Sequence, residues 1–345
     1  MISSSSVMPK TRTIPSLDGM RAVSIVLVLL GHLYGTAHYP RNAFTHYIGH
    51  FAHLGVQIFF VISGFLITTL LLKEKTQTGS IDLVQFFFRR SFRIFPAAFF
   101  YVTVVAVIAR PGYLAYAYTY TMCYASQARP WLLGHLWSLS VEEQFYLLWP
   151  AALVFAFRWR RSVAYIVLLF APLVRFGCWE LGRRNIDEYF PAVADNLMMG
   201  CLLAFYLDRM RQRAMWLRHP AVFAALGLLI VFSGNILSRV RLQIFLGGLV
   251  PLAIALFLFA AMERQDWLLN HPVTRAVGVL SSSIYLWQHP LLNRTSHQWW
   301  AEFPLNVVLA VVAGAISYWI VERPFLRLFH SWKRPKAQES IVAAS

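Results

Sequence analysis

Apolar residues in this chain fall into blocks of about 18 to 21, the length a helix needs to cross roughly 30 Å of hydrocarbon. At 58% hydrophobic and 13% charged, the 345 residues are too apolar for one soluble globular domain. The pattern predicts an all-α, polytopic membrane protein with about ten transmembrane helices in one bundle. They are expected over roughly 17–36, 53–72, 94–110, 137–157, 162–179, 192–208, 219–234, 242–262, 275–292 and 304–321, with a partial helix near 113–126. The expected organisation is a disordered cytoplasmic tail over 1–13, a transmembrane domain over 14–327 and a cytoplasmic tail over 328–345. The first helix is too long for a signal-peptide core and no small-residue cleavage site follows it, so it reads as an uncleaved anchor. No internal repeat or soluble domain is visible and every loop is short. A site is expected inside the bundle or at its two mouths.

A net charge of +16 raises the question of nucleic acid, and its distribution answers it. With both termini cytoplasmic, 21 of the 31 Lys and Arg lie in cytoplasmic loops and tails, 9 lie outside and Arg21 lies in the first helix. That asymmetry is the positive-inside signature, which predicts this orientation and contact with anionic lipid instead of nucleic acid. Cys123, Cys178 and Cys201 have neither metal spacing nor a disulfide framework and read as packing residues.

The ionisable residues inside apolar runs carry the chemistry, because lipid offers them no solvation. Arg21 and His32 stand eleven residues apart, about three helical turns, so they share one face and are separated by roughly 16 Å along the axis. Asp18 precedes Arg21 by three residues, a spacing that allows an ion pair. An imidazole titrating near neutral pH suits His32 to general-base work; the bland reading is a packing histidine. Arg89, Arg90 and Arg93 enter the third helix from inside, either gripping phosphate from the cytosol or stopping translocation. Trp137, Ser140, Glu142, Glu143 and Tyr146 lie at the start of the fourth helix, suiting either a sugar-binding mouth or an interfacial belt. Glu142 and Glu143 point about 100° apart, so at most one is expected to face inward. Tyr285 and Trp287, with Ser281–Ser283, Gln288 and His289, sit in the ninth helix, and Glu322 ends the tenth. His46, His50 and His53 could share a helix face, but no acidic partner lies near them in sequence and no metal site is expected.

In order along the chain stand Leu17-Asp18-Gly19-Met20-Arg21 with His32, Phe59-Phe60-Val61-Ile62-Ser63-Gly64-Phe65-Leu66-Ile67, and Arg90-x-x-Arg93-Ile94-x-Pro96. Trp137-Ser138-Leu139-Ser140-Val141-Glu142-Glu143-Gln144-Phe145-Tyr146, Ile284-Tyr285-Leu286-Trp287 and Glu322-Arg323-Pro324 follow. Together they resemble acyltransferase family 3, the integral-membrane enzymes that O-acylate bacterial surface and secreted carbohydrates. The resemblance runs from about Ile14 to Arg327. It implies that Arg21 and His32 are the essential pair, that Arg90 and Arg93 serve the donor side, and that the protein sits in the bacterial inner membrane. Many relatives have His directly after Tyr-Leu-Trp, where this chain has Gln288 followed by His289, which weakens the case for His289 as a catalytic residue. The soluble esterase-like domain that some relatives carry is not seen, so the chain is expected to act alone or with a separate partner.

The expected reaction passes an acyl group, with acetyl as the default, from cytosolic acyl-CoA to a hydroxyl of a carbohydrate or lipid-linked sugar at the outer face. Acyl-CoA is a co-substrate here, and no permanently bound cofactor is expected. His32 would either deprotonate the hydroxyl or carry the acyl group itself, with Glu142 beside Arg21 and His32 in the catalytic set. Tyr285, Ser140 or Arg21 would support the oxyanion. The competing expectation is a proton-coupled transporter or flippase using Arg21, Glu142 and His32 as a relay; the lack of a repeat with paired broken helices weighs against it.

Overall fold

The computed structural model describes residues 14–126, 129–183, 186–236, 244 and 247–332. All regular structure among them is helical. The first half of the chain forms α1 (Pro15–Leu33), α2 (Ala43–Ile48), α3 (Phe51–Thr78), α4 (Leu83–Ala109), α5 (Leu114–Tyr118), α6 (Trp131–Gly134) and α7 (Leu136–Phe155). Then come α8 (Arg160–Glu180), α9 (Phe190–Arg213), α10 (Pro220–Ile236), α11 (Leu249–Arg264), α12 (Trp267–Asn270), α13 (Pro272–Leu291), α14 (Leu305–Ser317) and α15 (Arg323–Trp332).

Among the described residues six stretches are long and apolar enough to cross a membrane: α1, α2 with α3, α4, the α8 stretch, α9, and Leu305–Leu328. This is a multi-pass membrane protein. Every one of the ten expected segments contains a helix, but α7, α10, α11 and α13 are shorter or more polar than the six. α7 and α13 are polar because they carry the serines, carboxylates, amides and imidazoles of the candidate site. The expected first residues of the 242–262 segment lie mostly outside the described residues, as do the tails over 1–13 and 333–345.

Several boundaries differ from expectation through helix continuing past the hydrocarbon, among them the ends of α3 at Thr78 and α9 at Arg213. α4 begins at Leu83, where the Asp82 side chain accepts from Gln85 N at 2.9 Å and caps the first turn. Arg89, Arg90 and Arg93 therefore stand on a helix and not in a loop. At the other end, α15 runs to Trp332, into the segment expected as a tail from 328. A single wide π-helical turn, Tyr318–Glu322, joins α14 to α15. Near 113–126 the expected partial helix is the five-residue α5 followed by a one-turn 3₁₀ segment at Met122–Tyr124.

The helices sort into a centre and a rim. The apolar windows of α1, α3 and α9 are 61%, 67% and 61% buried, against 17% for the α8 stretch, whose outer face presents Leu169, Phe170 and Leu173. α3 packs on α9, and α1 packs on both α3 and α13. The α3–α9 contact is backbone to backbone: a Cβ on Gly64 would fall on the Leu197 carbonyl, and one on Gly200 would fall on the Val61 carbonyl. One charge pair is buried in this apolar frame. Arg175 of α8 donates to Asp195 of α9 at 2.8 Å and to the Ala192 carbonyl at 2.6 Å.

Candidate active site

A cavity of about 110 Å³ opens among α1, α3, α4, α7 and α13, with Glu322 closing one side. Its polar lining is Arg21, Ser63, Arg90, Arg93, Ser138, Glu142, Tyr146, Ser282, Tyr285 and Glu322, set in an apolar wall that includes Phe59, Phe60 and Leu286. Three guanidiniums thus face two carboxylates in one space. Arg90 and Arg93 reach it together because residues three apart share a helix face. Arg89, one residue off that face, pairs instead with Glu74 at 3.2 Å and lies outside the cavity, contrary to its expected place in the donor-side cluster.

Hydrogen bonds fix the lining groups. Arg21 Nη2 donates to Ser282 Oγ at 2.8 Å, so Arg21 reaches across to α13 and does not close the expected ion pair with Asp18. Tyr146 Oη donates to Ser63 Oγ at 3.3 Å, and Ser63 Oγ donates in turn to Glu142. The Arg90 guanidinium lies over the Tyr146 ring, 4.6 Å from its centroid. Ser283 donates to Glu322, which the wide turn after α14 carries inward, leaving it 6% exposed.

Ser138 and Tyr285 form one wall of the cavity, with their hydroxyls 2.6 Å apart. Tyr285 Oη also donates to the His135 carbonyl at 2.9 Å, and its ring packs edge-on against the His135 imidazole at 5.4 Å. Behind this wall stand three imidazoles. His135 and His289 lie 4.0 Å apart between ring centroids, and His289 meets His32 edge-on at 4.7 Å. Trp131 stacks on His289 at 4.4 Å and lies edge-on to His32 at 5.8 Å. The Arg294 guanidinium lies over Trp131 and donates to the Gly31 carbonyl at 3.1 Å. Both ring nitrogens of His135 and Nε2 of His289 are buried and have no hydrogen-bond partner among the described residues. Unpaired buried polar groups of this kind call for an explanation beyond packing.

Several expected residues lie elsewhere. Glu143 is off the cavity, with Oε1 buried and without a hydrogen-bond partner among the described residues. Ser140 Oγ accepts from Met122 N at 3.1 Å and donates to the Leu136 carbonyl at 2.9 Å, so it ties the α5–α6 connection to α7 and is not placed to support an oxyanion in the cavity. Trp137 packs on Phe60 and under His53, and Trp287 packs on Tyr101. His46, His50 and His53 are divided by the break between α2 and α3; His46 bonds Tyr34 at 2.9 Å. Among the described residues no group of three His, Cys, Asp or Glu could hold a metal.

The sequence reading gave no role to His135, Ser63 or Arg294, placed Ser282 only among the hydroxyls of the ninth helix, and set His289 aside. Signals were available for His135, which stands two residues before the Trp137–Tyr146 motif, and for Ser63, which lies inside the Phe59–Ile67 motif. Nothing local flags Arg294, whose role depends on which helices meet.

A family model described as an acyltransferase domain matches residues 14–323, which include every residue lining the cavity and all three imidazoles. This chain belongs to that acyltransferase family. Among its relatives is a Staphylococcus aureus protein named O-acetyltransferase OatA, 28% identical over 375 residues that cover 91% of this chain and 57% of the relative. Another is the peptidoglycan O-acetyltransferase OatA of Listeria monocytogenes, 28% identical over 355 residues, covering 90% of this chain and 54% of the relative. The chain thus spans little more than half the length of these curated relatives. No solved structure matches it.

Proposed function

We propose that this chain is a membrane O-acyltransferase that moves an acyl group, acetyl in the first instance, from cytosolic acyl-CoA across the bacterial inner membrane to a hydroxyl of an external carbohydrate. Its relatives' names point to acetyl as the group and peptidoglycan as one carbohydrate class. The observation that carries the reading is a run of contacts: the arginines and Tyr285 line one cavity, Tyr285 bonds Ser138 and packs on His135, and His135 leads through His289 to His32.

In this reading both termini are cytoplasmic and about ten helices cross, so the Arg90–Arg93 end faces the cytosol. These two guanidiniums grip the phosphates of the donor without losing charge, while the apolar wall takes its thioester arm. Parting of the Ser138–Tyr285 hydrogen bond joins the cavity to His32. His32 takes the proton of the sugar hydroxyl, whose oxygen forms a bond to the thioester carbonyl carbon. Arg21 or the freed Tyr285 hydroxyl meets the oxyanion. As the C–S bond breaks, the leaving thiolate takes the proton back from His32, which leaves an ester and a thiol. Transfer through an acyl-imidazole on His32 uses the same groups in two steps.

The test supplies labelled acetyl-CoA to membranes carrying the protein and a peptidoglycan or oligosaccharide acceptor. Wild type incorporates label into carbohydrate and His32→Ala loses it by about 100-fold or more, the scale of a lost general base. Equal incorporation by the two overturns the reading, and loss of solute uptake without any acylation points to a transporter.

A further inference from the structure

We infer that Gln288 is a positioning residue that fixes the tautomer of His32, keeping a proton on Nδ1 and leaving Nε2 bare. Its catalytic consequence rests on the acyl-transfer reading; the tautomer itself does not.

Gln288 is fully buried on α13, one turn beyond Tyr285. Its amide makes two hydrogen bonds, and the first orients the second. Nε2 donates to the Tyr285 carbonyl at 3.3 Å. A carbonyl can only accept, so the amino side of the amide must face Tyr285 and the oxygen must face away from it. That oxygen, Oε1, lies 3.1 Å from His32 Nδ1. An amide oxygen also only accepts, so Nδ1 must be the donor and carry hydrogen. In a neutral imidazole the other nitrogen is then an acceptor with a free lone pair. A general base needs that state.

His289 is held by the same logic. Its Nδ1 lies 2.6 Å from the Trp131 carbonyl, which makes Nδ1 the donor and leaves Nε2 bare, with no partner among the described residues. The titratable and charged groups around His32 are His289, His135 and Arg294. Among the described residues no carboxylate hydrogen bonds to any of the three rings. A neutral amide in the place where a carboxylate would stand orients the ring without holding an imidazolium. His32 therefore gives its proton back to the leaving thiolate readily.

Two measurements test this. The first uses membranes of the full chain with ¹⁵N-labelled histidine, His32 being assigned by its loss in His32→Asn. Solid-state ¹⁵N spectra at neutral pH should show His32 with protonated Nδ1 and bare Nε2, and a tautomer mixture in Gln288→Met. A bare Nδ1 in wild type overturns the inference, whether or not the protein transfers acetyl groups. The second is the pH–rate profile for labelled acetyl-CoA. Gln288→Met should lower kcat by about 10-fold or more, with KM for both substrates within about twofold. Gln288→Glu keeps an acceptor and adds a charge that favours the imidazolium, so it should recover turnover with the acid limb moved up by roughly one pH unit or more. Unchanged kcat in Gln288→Met, or an unmoved acid limb in a fully active Gln288→Glu, overturns the positioning role. Absence of transfer by wild type defeats the acyl-transfer reading alone, and the spectra still decide the tautomer.

Discussion

Arg89 and Arg90 are neighbours in the chain and strangers in space. The 100° step of a helix sends Arg90 into the cavity over Tyr146 and Arg89 out to Glu74. Arg90→Ala is therefore expected to raise KM for acetyl-CoA about 10-fold or more, while Arg89→Ala, which breaks only a part-exposed ion pair, changes it less than about twofold. Initial rates over a donor concentration series check both. The sequence could show that three arginines cluster and that at most one of Glu142 and Glu143 faces inward. It could not show which, because the choice depends on the rotation of α4 and α7 against their neighbours. Ser140 was a candidate by chemical type alone, and its hydroxyl is spent on the backbone of a connecting segment. The joint role of His135 and His289 was hidden for the opposite reason: a single histidine in an apolar run looks the same whether it packs or works, and only the meeting of α6, α7 and α13 with α1 brings the rings together.

Helices were the most readable level, since a lipid-length apolar block can satisfy its backbone only as a helix. Their ends were the least. Hydropathy registers where the bilayer stops, whereas α4 starts where Asp82 caps it and α15 runs on to Trp332. The close approach of α3 to α9 left only two glycines as a trace, Gly64 and Gly200, each facing the other helix's backbone. Gly64→Ala and Gly200→Ala should each destabilise the protein by about 1–3 kcal/mol, because a methyl group must push two backbones apart. The double variant should lose less than the sum, since the first separation makes room for the second. Thermal unfolding in detergent, followed by tryptophan fluorescence, measures this; additive losses would mean that the two contacts relax independently.

For the molecule as a whole, the charge asymmetry read from the sequence makes a claim about sidedness. In a cysteine-free background, with Cys123, Cys178 and Cys201 replaced, a cysteine at exposed Thr295 should react with a membrane-impermeant maleimide in intact cells. One at exposed Thr76, at the far end of α3, should react only after permeabilisation. The reverse pattern would invert the orientation and, with it, the side from which the donor enters.

Transfer past the wall between the cavity and the imidazoles is electrically silent. The hydroxyls of Ser138 and Tyr285 stand between the arginine-lined cavity and the imidazoles. In the proposed reaction a sugar proton ends on the thiol as the acetyl group ends on the sugar. The reacting groups are neutral before and after, so the exchange moves no net charge and gains nothing from the transmembrane voltage. Labelled acetyl transfer in vesicles should therefore keep its rate when an interior-negative potassium diffusion potential is imposed or collapsed at unchanged donor concentration, and a strong dependence would mean that a charged species crosses.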